Sequence, residues 1–185
     1  ENTVIIYLGD NGYYMGDRGF AGKWSHYEES LRVPLIIHDP RLPAAKRGQT
    51  PTAMALNVDA PLTFLELAGV AVPEHYQGRS LLPILRGEAP PDWRHDFFCE
   101  HRMKHRDIPK WEGVRGQRHV YARYLQQKPV YEFLHDLKTD PDQLRNLAAD
   151  PAHSAVLARL RRRCDELRDR YRAERKPEIP VPAKP

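Results

Sequence analysis

The sequence predicts an α/β chain that continues into a small antiparallel sheet and one long helix. The first part is indicated by two apolar, β-branched runs, at residues 3–8 and 33–37. The second part is indicated by three short runs rich in aromatic and β-branched residues. A final segment in which apolar residues recur at every third or fourth position predicts the helix.

The first predicted strand covers residues 3–8 and the second covers 33–37, after which Asp39 and Pro40 form a turn. An almost continuous apolar run is typical of a central strand in a parallel sheet, which is buried on both faces. Because the sequence opens inside such a strand, we expect the chain to be the C-terminal piece of a longer protein.

A helix is predicted to begin at Asp59, whose carboxylate can cap free backbone N–H groups. Pro61 supports this start, since proline in the first turn has no hydrogen-bond donor to lose. Gly69 is predicted to end the helix. A short helical turn at 81–85 then leads to a proline pair, and we place a boundary between two parts of the chain near Pro91.

The part after the boundary contains the three predicted strands of the antiparallel sheet, at residues 95–101, 116–125 and 129–137. Asp150 and Pro151 are predicted to begin the long helix. One face of this helix carries an apolar stripe that consists of Leu157, Leu160, Cys164, Leu167 and Tyr171. Its arginines and acidic residues are interpreted as solvated ion pairs. Residues 176–185 are rich in proline and are predicted to form a mobile tail.

The composition argues against several classes of protein. The 29 basic and 25 acidic residues leave a net charge of +4, and the basic residues are not interleaved with aromatic ones, so we predict no nucleic-acid partner. No apolar stretch approaches the roughly 18 residues that a membrane span requires. Cys99 and Cys164 form no C-x-x-C pair. They could form one disulfide, although two unpaired, packed cysteines fit the sequence better.

Polar residues follow directly on the first predicted strand. Asp10 and Asn11 stand at its carboxyl end, where open parallel sheets bind ligands. Neighbouring carboxylate and amide oxygens suit a hard divalent cation such as calcium or magnesium. Lys23 comes twelve residues after Asn11 in a glycine-rich loop and would offer a point charge to an anionic substrate. From the residues alone, an Asn-Gly turn and a surface lysine remain the alternatives.

Several segments together resemble the sulfatases of the alkaline phosphatase superfamily. They are VIIYLGDNG, GDRGFAGKWSHYEESLRVPLIIHDPR, LNVDAPLTFLELAGVAVP, QGRSLLPILRG, EGVRGQRHVYARYL and EFLHDLKTDPDQLRNLAADP. The chain is most similar in style to arylsulfatase-like and N-sulfoglucosamine sulfohydrolase-like enzymes. The resemblance implies that residues 1–91 are the C-terminal part of an alkaline-phosphatase-like α/β sandwich, the catalytic domain. It also implies that residues 92–175 are the sulfatase C-terminal subdomain, with its antiparallel sheet and helix.

The resemblance implies roles for three residues of the first part. Asp10 and Asn11 match two ligands of an active-site Ca2+, with Mg2+ less expected. Lys23 matches a lysine that contacts the sulfate group, where a cation stabilises charge on the leaving oxygen. Arg18 is a local departure, since many relatives have histidine there.

Sulfatases of this type use a formylglycine made from the first residue of Cys-or-Ser-x-Pro-x-Arg. The residues that follow Cys99 and Cys164 do not fit this pattern, and no serine fits it either. The formylglycine and the remaining metal aspartates are therefore expected in an N-terminal part that precedes this chain. Without that part, the chain alone is expected to be inactive.

Further residues are weaker candidates for substrate binding. His101 and Arg115 lie in the second part, where sulfatases place residues of the substrate pocket, and Trp111 and Arg118 are similar candidates. His26 could contact substrate, although a packed or surface position fits it better.

Four other polar residues are assigned structural roles. Glu28, Glu29 and Arg32 are interpreted as a lattice that holds the loop to the second strand. Asp59 is interpreted as a helix cap.

The function predicted from these observations is the hydrolysis of sulfate esters or sulfamates, with a sulfated small molecule or glycan as the substrate. One alternative is a phosphonate or phosphodiester hydrolase of the same superfamily. Another is a non-catalytic module that binds acidic polysaccharide through its basic helix, and a third is a pseudoenzyme. A periplasmic or secreted location is suggested by the resemblance alone.

Overall fold

A computed structural model describes residues 2–174 of the chain and contains two antiparallel sheets. The strands are β1 (Ile5–Leu8), β2 (Leu35–His38), β3 (Asp96–His101), β4 (Trp111–Gly116), β5 (His119–Tyr124) and β6 (Tyr131–Asp136). The helices are α1 (Glu28–Leu31), α2 (Asp59–Leu67), α3 (Leu82–Leu85) and α4 (Ser154–Ala173). The predicted tail at 176–185 lies outside the described residues.

The two predicted strands of the first part pair with each other, in antiparallel register from Ile5 opposite His38 to Leu8 opposite Leu35. The prediction of a parallel sheet is not met within residues 2–174. Parallel neighbours need a crossover, usually a helix, and the connection at 9–34 contains only the one-turn helix α1 and a single 3-10 turn. We call this connection the tip loop.

One face of the first sheet is exposed and apolar. Ile5, Tyr7 and Ile36 are 59%, 62% and 63% exposed and lie on the same side of the two strands. Contiguous exposed apolar surface of this kind marks a contact surface in a folded protein.

Helix α2 begins at Asp59 as predicted, but Asp59 does not cap it. The fully buried carboxylate accepts the backbone N–H of Leu56 (2.7 Å) and of Arg79 (2.8 Å) and pairs with the Arg94 guanidinium (2.7 Å from Nη2). The cap interpretation was wrong because these partners come from outside the helix, up to 35 residues along the chain. Gly69, at φ 66°, follows the helix as predicted, and α3 matches the predicted turn.

The second sheet has the strand order β3-β4-β5-β6, with every neighbouring pair antiparallel. Three of these strands were predicted, and β4 was missed. Its sequence, WEGVRG, contains two glycines and two charged residues, which are poor strand formers by themselves. Burial between two neighbouring strands overrides that local preference.

Helix α4 packs on the second sheet and completes its core. The predicted stripe is confirmed: Leu157, Leu160, Cys164 and Leu167 are buried against Val114, Tyr121 and Leu134 of the sheet. Each fully buried leucine contributes about 1.5–3 kcal/mol of hydrophobic stabilisation. Asp150 accepts the N–H of Ala152 (3.0 Å), so it caps the turn that leads into α4, as predicted. Among the described helices, none is long and apolar enough to cross a membrane.

Candidate active site

The tip loop brings Lys23 and Asn11 together. The Lys23 ammonium donates a hydrogen bond to Asn11 Oδ1. The Asn11 amide is oriented by a second bond, from its Nδ2 to the carbonyl of Gly12 at 2.8 Å. Because the nitrogen is used in this way, the amide oxygen is the atom that faces Lys23. Asp10, beside it, is exposed and accepts the Asn11 N–H through Oδ1 at 2.9 Å.

Asn57, a residue that the sequence analysis missed, stabilises this strand end with two side-chain hydrogen bonds, which we call the brace. Its Nδ2 lies 2.7 Å from the carbonyl oxygen of Asp10 and 3.2 Å from that of Gly9. Asn57 follows Leu56, whose N–H donates to the buried Asp59 carboxylate, so this network fixes the backbone next to Asn57. Its polar side chain just before a predicted helix gave no signal that distinguished it from an ordinary helix-start residue.

Gly12 allows the two arms of the tip loop to approach each other. Its N–H donates to the carbonyl of Ser30 at 3.0 Å. A Cβ at this position would lie 2.0 Å from the carbonyl oxygen of Glu29, a distance at which backbone has to move. Glycine is therefore required here for close approach, directly beside Asn11.

One ion pair and two contacts to backbone carbonyls join the tip loop to the second part of the chain, and a second ion pair lies within the loop. The two carboxylate oxygens of Glu28 accept hydrogen bonds from Nε and Nη2 of Arg115, at 3.0 and 2.8 Å. Glu29 pairs with Arg18 at 2.8 Å. Arg18 also donates to the carbonyls of Asp142 and Gln143. Glu28 and Glu29 are structural, as interpreted, but Glu28 holds the loop to the second part instead of to β2, and Glu29 orients Arg18 within the loop. Arg32 is exposed and does not share in these pairs.

These pairs also define the position of Arg115, because its guanidinium is engaged by Glu28. Arg118 is likewise engaged, by both carboxylate oxygens of Asp136 at 2.9 and 2.7 Å. The paired carboxylates neutralise both guanidinium groups locally. Arg115 therefore joins the sheet to the tip loop, and Arg118 joins two neighbouring segments of the sheet.

His26 is fully buried between the tip loop and the second sheet. Its Nδ1 lies 3.1 Å from the Tyr124 hydroxyl, and its Nε2 lies 3.2 Å from Nε2 of His135. Burial holds the pKa of His26 well below its usual value, and the neighbouring His135 and Arg18 lower that pKa further. The imidazole has no exposed surface on which a substrate could bind.

His101 and Trp111 face each other across β3 and β4, near Trp24 of the tip loop. Trp111 is buried and donates from Nε1 to the Trp24 carbonyl at 2.6 Å. His101 is also buried, and its ring meets the Trp24 indole edge to face with centroids 5.4 Å apart. Lys23 Nζ lies 5.3 Å from the same indole. His101 and Lys23 are therefore both neighbours of the Trp24 indole.

The two cysteines are free thiols, as expected from their sequence context. Burial raises the pKa of Cys164 to about 12 and raises that of Cys99 as well. Both thiols are therefore protonated at neutral pH and are poor nucleophiles.

Asp10 and Asn11 fit a calcium ion by the chemistry of their donors, one carboxylate and one amide oxygen. Asn11 Oδ1 has two lone pairs, so it can accept from Lys23 and still face a cation. Within residues 2–174, no three His, Cys, Asp or Glu side chains come together in a group that could hold a metal ion. Two oxygen donors are fewer than the roughly six to eight that calcium takes, so an ion held here would need further ligands from elsewhere.

The chain matches a known protein family and is similar to several solved structures. A family described as N-sulphoglucosamine sulphohydrolase, C-terminal, matches residues 16–170. The N-acetylglucosamine-6-O-sulfatase of Bacteroides thetaiotaomicron is 33% identical over 177 residues, which are 93% of this chain and 31% of that protein. The chain thus spans about a third of the length of this curated relative.

Two solved structures are also similar. One, a complex with its substrate D-glucosamine-2-N,6-O-disulfate, superposes with a TM-score of 0.83 at 30% identity, covering 92% of this chain and 35% of the other. A phosphonate monoester hydrolase from Silicibacter pomeroyi gives a TM-score of 0.77 at 32% identity, covering 91% and 35%.

Proposed function

Because this chain belongs to the N-sulphoglucosamine sulphohydrolase C-terminal family of sulfatases, we propose that it forms one side of the active site of a calcium-dependent sulfatase. The proposed reaction is the hydrolysis of a sulfate ester or sulfamate on a glycan. The observation that carries the proposal is the contact between Lys23 and Asn11, which puts an anion-binding charge beside a metal-type oxygen donor.

Lys23 is proposed to hold the sulfate group and to stabilise the leaving oxygen. As the S–O bond breaks, negative charge develops on that oxygen, and a fixed ammonium lowers the energy of this state more than that of the ground state. The half-buried side chain and the bond to Asn11 restrict its motion before substrate arrives. Preorganisation of this kind avoids a reorganisation cost during the reaction.

Asp10 and Asn11 are proposed to hold the calcium ion. When bound, the ion would neutralise and orient the sulfate group. The brace from Asn57 fixes the backbone of Asp10, which keeps both donors on one rigid strand end. The formylglycine nucleophile and the remaining ligands are proposed to come from an upstream part of a longer protein. We refer to that longer protein as the full-length protein, and we propose that this chain alone is inactive.

The glycan substrate is supported by what similar proteins are named for. A relative is named as an N-acetylglucosamine-6-O-sulfatase, and a similar structure holds a disulfated glucosamine. Phosphonate monoester hydrolysis is the second candidate, because a hydrolase of that class has nearly the same fold over this region. A lysine beside oxygen donors serves either anion, so the candidate site does not separate the two. A non-catalytic polysaccharide-binding module and a pseudoenzyme are the remaining alternatives.

The test is a comparison of turnover by the full-length protein. Sulfate release from N-acetylglucosamine 6-sulfate and from an N-sulfated glucosamine is measured beside hydrolysis of a phosphonate monoester and a phosphodiester. The proposal expects the highest kcat/KM on a sulfated sugar and loss of that activity with a calcium chelator. A higher kcat/KM on the phosphonate would favour the second candidate. No turnover of any of the four would support a pseudoenzyme or a binding module.

A further inference from the structure

Trp24, the residue directly after Lys23, adopts a backbone conformation that tryptophan rarely takes. Its φ is 104°, whereas Met15, Arg18 and Gln143 have positive φ values between 49° and 57°. Those three values lie in or close to the ordinary left-handed region, and 104° lies outside it. A bulky residue strained in this way persists only where its surroundings enforce the conformation, and such strain is found most often at functional sites.

Two side chains enforce the conformation of Trp24. Ser30 Oγ accepts the Trp24 N–H at 3.1 Å, and Trp111 Nε1 donates to the Trp24 carbonyl at 2.6 Å. Both partners are buried, Ser30 at 7% exposure and Trp111 at 3%. The N–H and the carbonyl stand on opposite sides of the N–Cα bond, which is the axis of φ. The two hydrogen bonds therefore oppose the rotation that would relieve the strain.

Ser30 also joins the two arms of the tip loop. Its carbonyl accepts the N–H of Gly12 at 3.0 Å, while its hydroxyl accepts the N–H of Trp24. Gly12 directly follows Asn11, and Trp24 directly follows Lys23. One buried residue thus holds the backbone beside both members of the Lys23–Asn11 contact.

We infer that Ser30 and Trp111 are positioning residues for Lys23, which keep its ammonium on Asn11 by holding Trp24 in the strained conformation. The inference rests on the proposed function only for what Lys23 does in the reaction. Rotation about φ of Trp24 would turn the peptide that joins it to Lys23 and would move the lysine away from Asn11 Oδ1. Trp111 lies in β4, so the second sheet contributes to the reaction by fixing a backbone and not by touching the substrate.

Trp93 supplies a matched control for Trp111. It is also buried, at 6% exposure, and its Nε1 also donates to a backbone carbonyl, that of Met54 at 2.9 Å. Met54 lies in the connection between β2 and α2 and not beside Lys23. Replacing either tryptophan by phenylalanine removes one buried hydrogen bond and keeps an aromatic ring. A loss of stability alone would therefore affect both variants alike.

The first experiment measures kcat and KM for sulfate release from N-acetylglucosamine 6-sulfate by the full-length protein. Trp111→Phe is expected to lower kcat about 10-fold, the scale of one hydrogen bond, and to change KM less, because the displaced ammonium acts in the transition state. Ser30→Ala is expected to have the same effect. Trp93→Phe should keep kcat within about twofold of the wild type. Equal losses of kcat in Trp93→Phe and Trp111→Phe would overturn the inference.

The same substitution in a Lys23→Ala background shows whether Trp111 acts through the lysine. Without the ammonium there is no charge to position, so Trp111→Phe should then lower kcat/KM by less than about twofold. A general disturbance of the fold would lower activity in both backgrounds. A further 10-fold decrease in the Lys23→Ala background would therefore overturn the inference.

Crystal structures of the full-length wild type, Trp111→Phe and Ser30→Ala test the inference without turnover. In either variant we expect φ of Trp24 to become negative and Lys23 Nζ to leave hydrogen-bond distance of Asn11 Oδ1. Variants that keep the positive φ and the contact would overturn the inference, even if the wild type releases sulfate and the proposed function stands. Displacement of Lys23 in the variants, without sulfate release by the wild type, would remove the proposed function and retain the positioning role.

Discussion

The Nε2 atoms of His26 and His135 lie 3.2 Å apart in the buried interface between the tip loop and the second sheet. Their hydrogen positions follow from their other partners. Nδ1 of His135 is 3.1 Å from the carbonyl oxygen of Arg145, which can only accept, so this nitrogen carries the hydrogen. Nε2 of neutral His135 then carries no hydrogen and accepts a hydrogen bond from Nε2–H of His26. Nδ1 of His26 in turn accepts from the Tyr124 hydroxyl.

This arrangement predicts a loss of stability in mild acid. Burial lowers the pKa of both histidines below 6.5; Arg18 lowers both further, whereas Asp140 and the Arg145 carbonyl oppose the shift at His135. Below pH 6.5 the unfolded chain binds protons that the folded chain does not. The free energy of unfolding therefore decreases as the pH is lowered, by up to about 1.4 kcal/mol per pH unit for each histidine. Urea unfolding of the full-length protein at pH 7.5, 6.5 and 5.5 measures this slope.

The variant His135→Asn tests the assignment, because its amide can still donate to the Arg145 carbonyl but cannot titrate. Its slope below pH 6.5 should be shallower than that of the wild type. His105→Asn, at an exposed histidine, should leave the slope unchanged. Equal slopes in His135→Asn and the wild type would contradict the account.

Asp59→Asn is predicted to destabilise the full-length protein by about 3–5 kcal/mol, because it leaves the half-buried Arg94 without its charge partner. The new amide nitrogen would also face N–H donors that the carboxylate now accepts. Asp92→Asn is the matched control. Its carboxylate is 76% exposed and pairs with Arg79 at the surface, so its loss should move the urea midpoint far less than Asp59→Asn does. Urea midpoints measure both; similar costs would show that burial of Asp59 does not decide its contribution.

Gly12→Ala is predicted to cost about 3 kcal/mol, the upper end for overpacking, since its Cβ would collide with the Glu29 carbonyl and force the arms of the tip loop apart. Gly16→Ala is the comparison. Gly16 also lies in the tip loop, at φ 100°, but a Cβ there meets no atom within 4 Å. It should cost only the about 1–2 kcal/mol of a left-handed backbone. If thermal unfolding of the full-length protein gave the same cost for both, close approach at Gly12 would not be the constraint.

Asn57→Ala is predicted to weaken calcium binding by the full-length protein about 10-fold, as loss of a residue that supports a ligand commonly does. The reason is that Asn57 holds the backbone of Asp10 without being a ligand itself. Calorimetric titration of Ca2+ into metal-free protein measures the effect. Gln49→Ala, at an exposed amide that bonds to Ala45, should not change the affinity. An unchanged affinity in Asn57→Ala would show that the brace is dispensable.

Local sequence patterns predicted most elements of this fold. The strands β1 and β2, the helices α2 and α4 and the cap at Asp150 each follow from signals within a few residues. The missed features depend on distant partners. Strand β4 forms because it pairs with β3 on one side and β5 on the other. The antiparallel pairing of β1 and β2 follows from the path of the tip loop.

The candidate site shows the same division. The pairing of Lys23 with Asn11 was expected, because a glycine-rich loop connects them and the resemblance assigns both to one site. The contacts that anchor that loop could not be predicted, since His26 and His135 are 109 residues apart and Arg18 and Gln143 are 125 apart. Asp59 was misassigned for this reason: its position suits a cap, while its partners lie elsewhere.

The most direct test of the central claim is the kcat/KM of Lys23→Ala for sulfate release from N-acetylglucosamine 6-sulfate by the full-length protein. Loss of one preorganised charge at the leaving oxygen predicts a decrease of about 100- to 1,000-fold, with Tm unchanged. Lys138→Ala, at an exposed lysine in the turn after β6, should retain kcat/KM within about twofold, as for a surface change remote from the site. Activity of Lys23→Ala within a few fold of the wild type would contradict the assignment of Lys23 to the sulfate group.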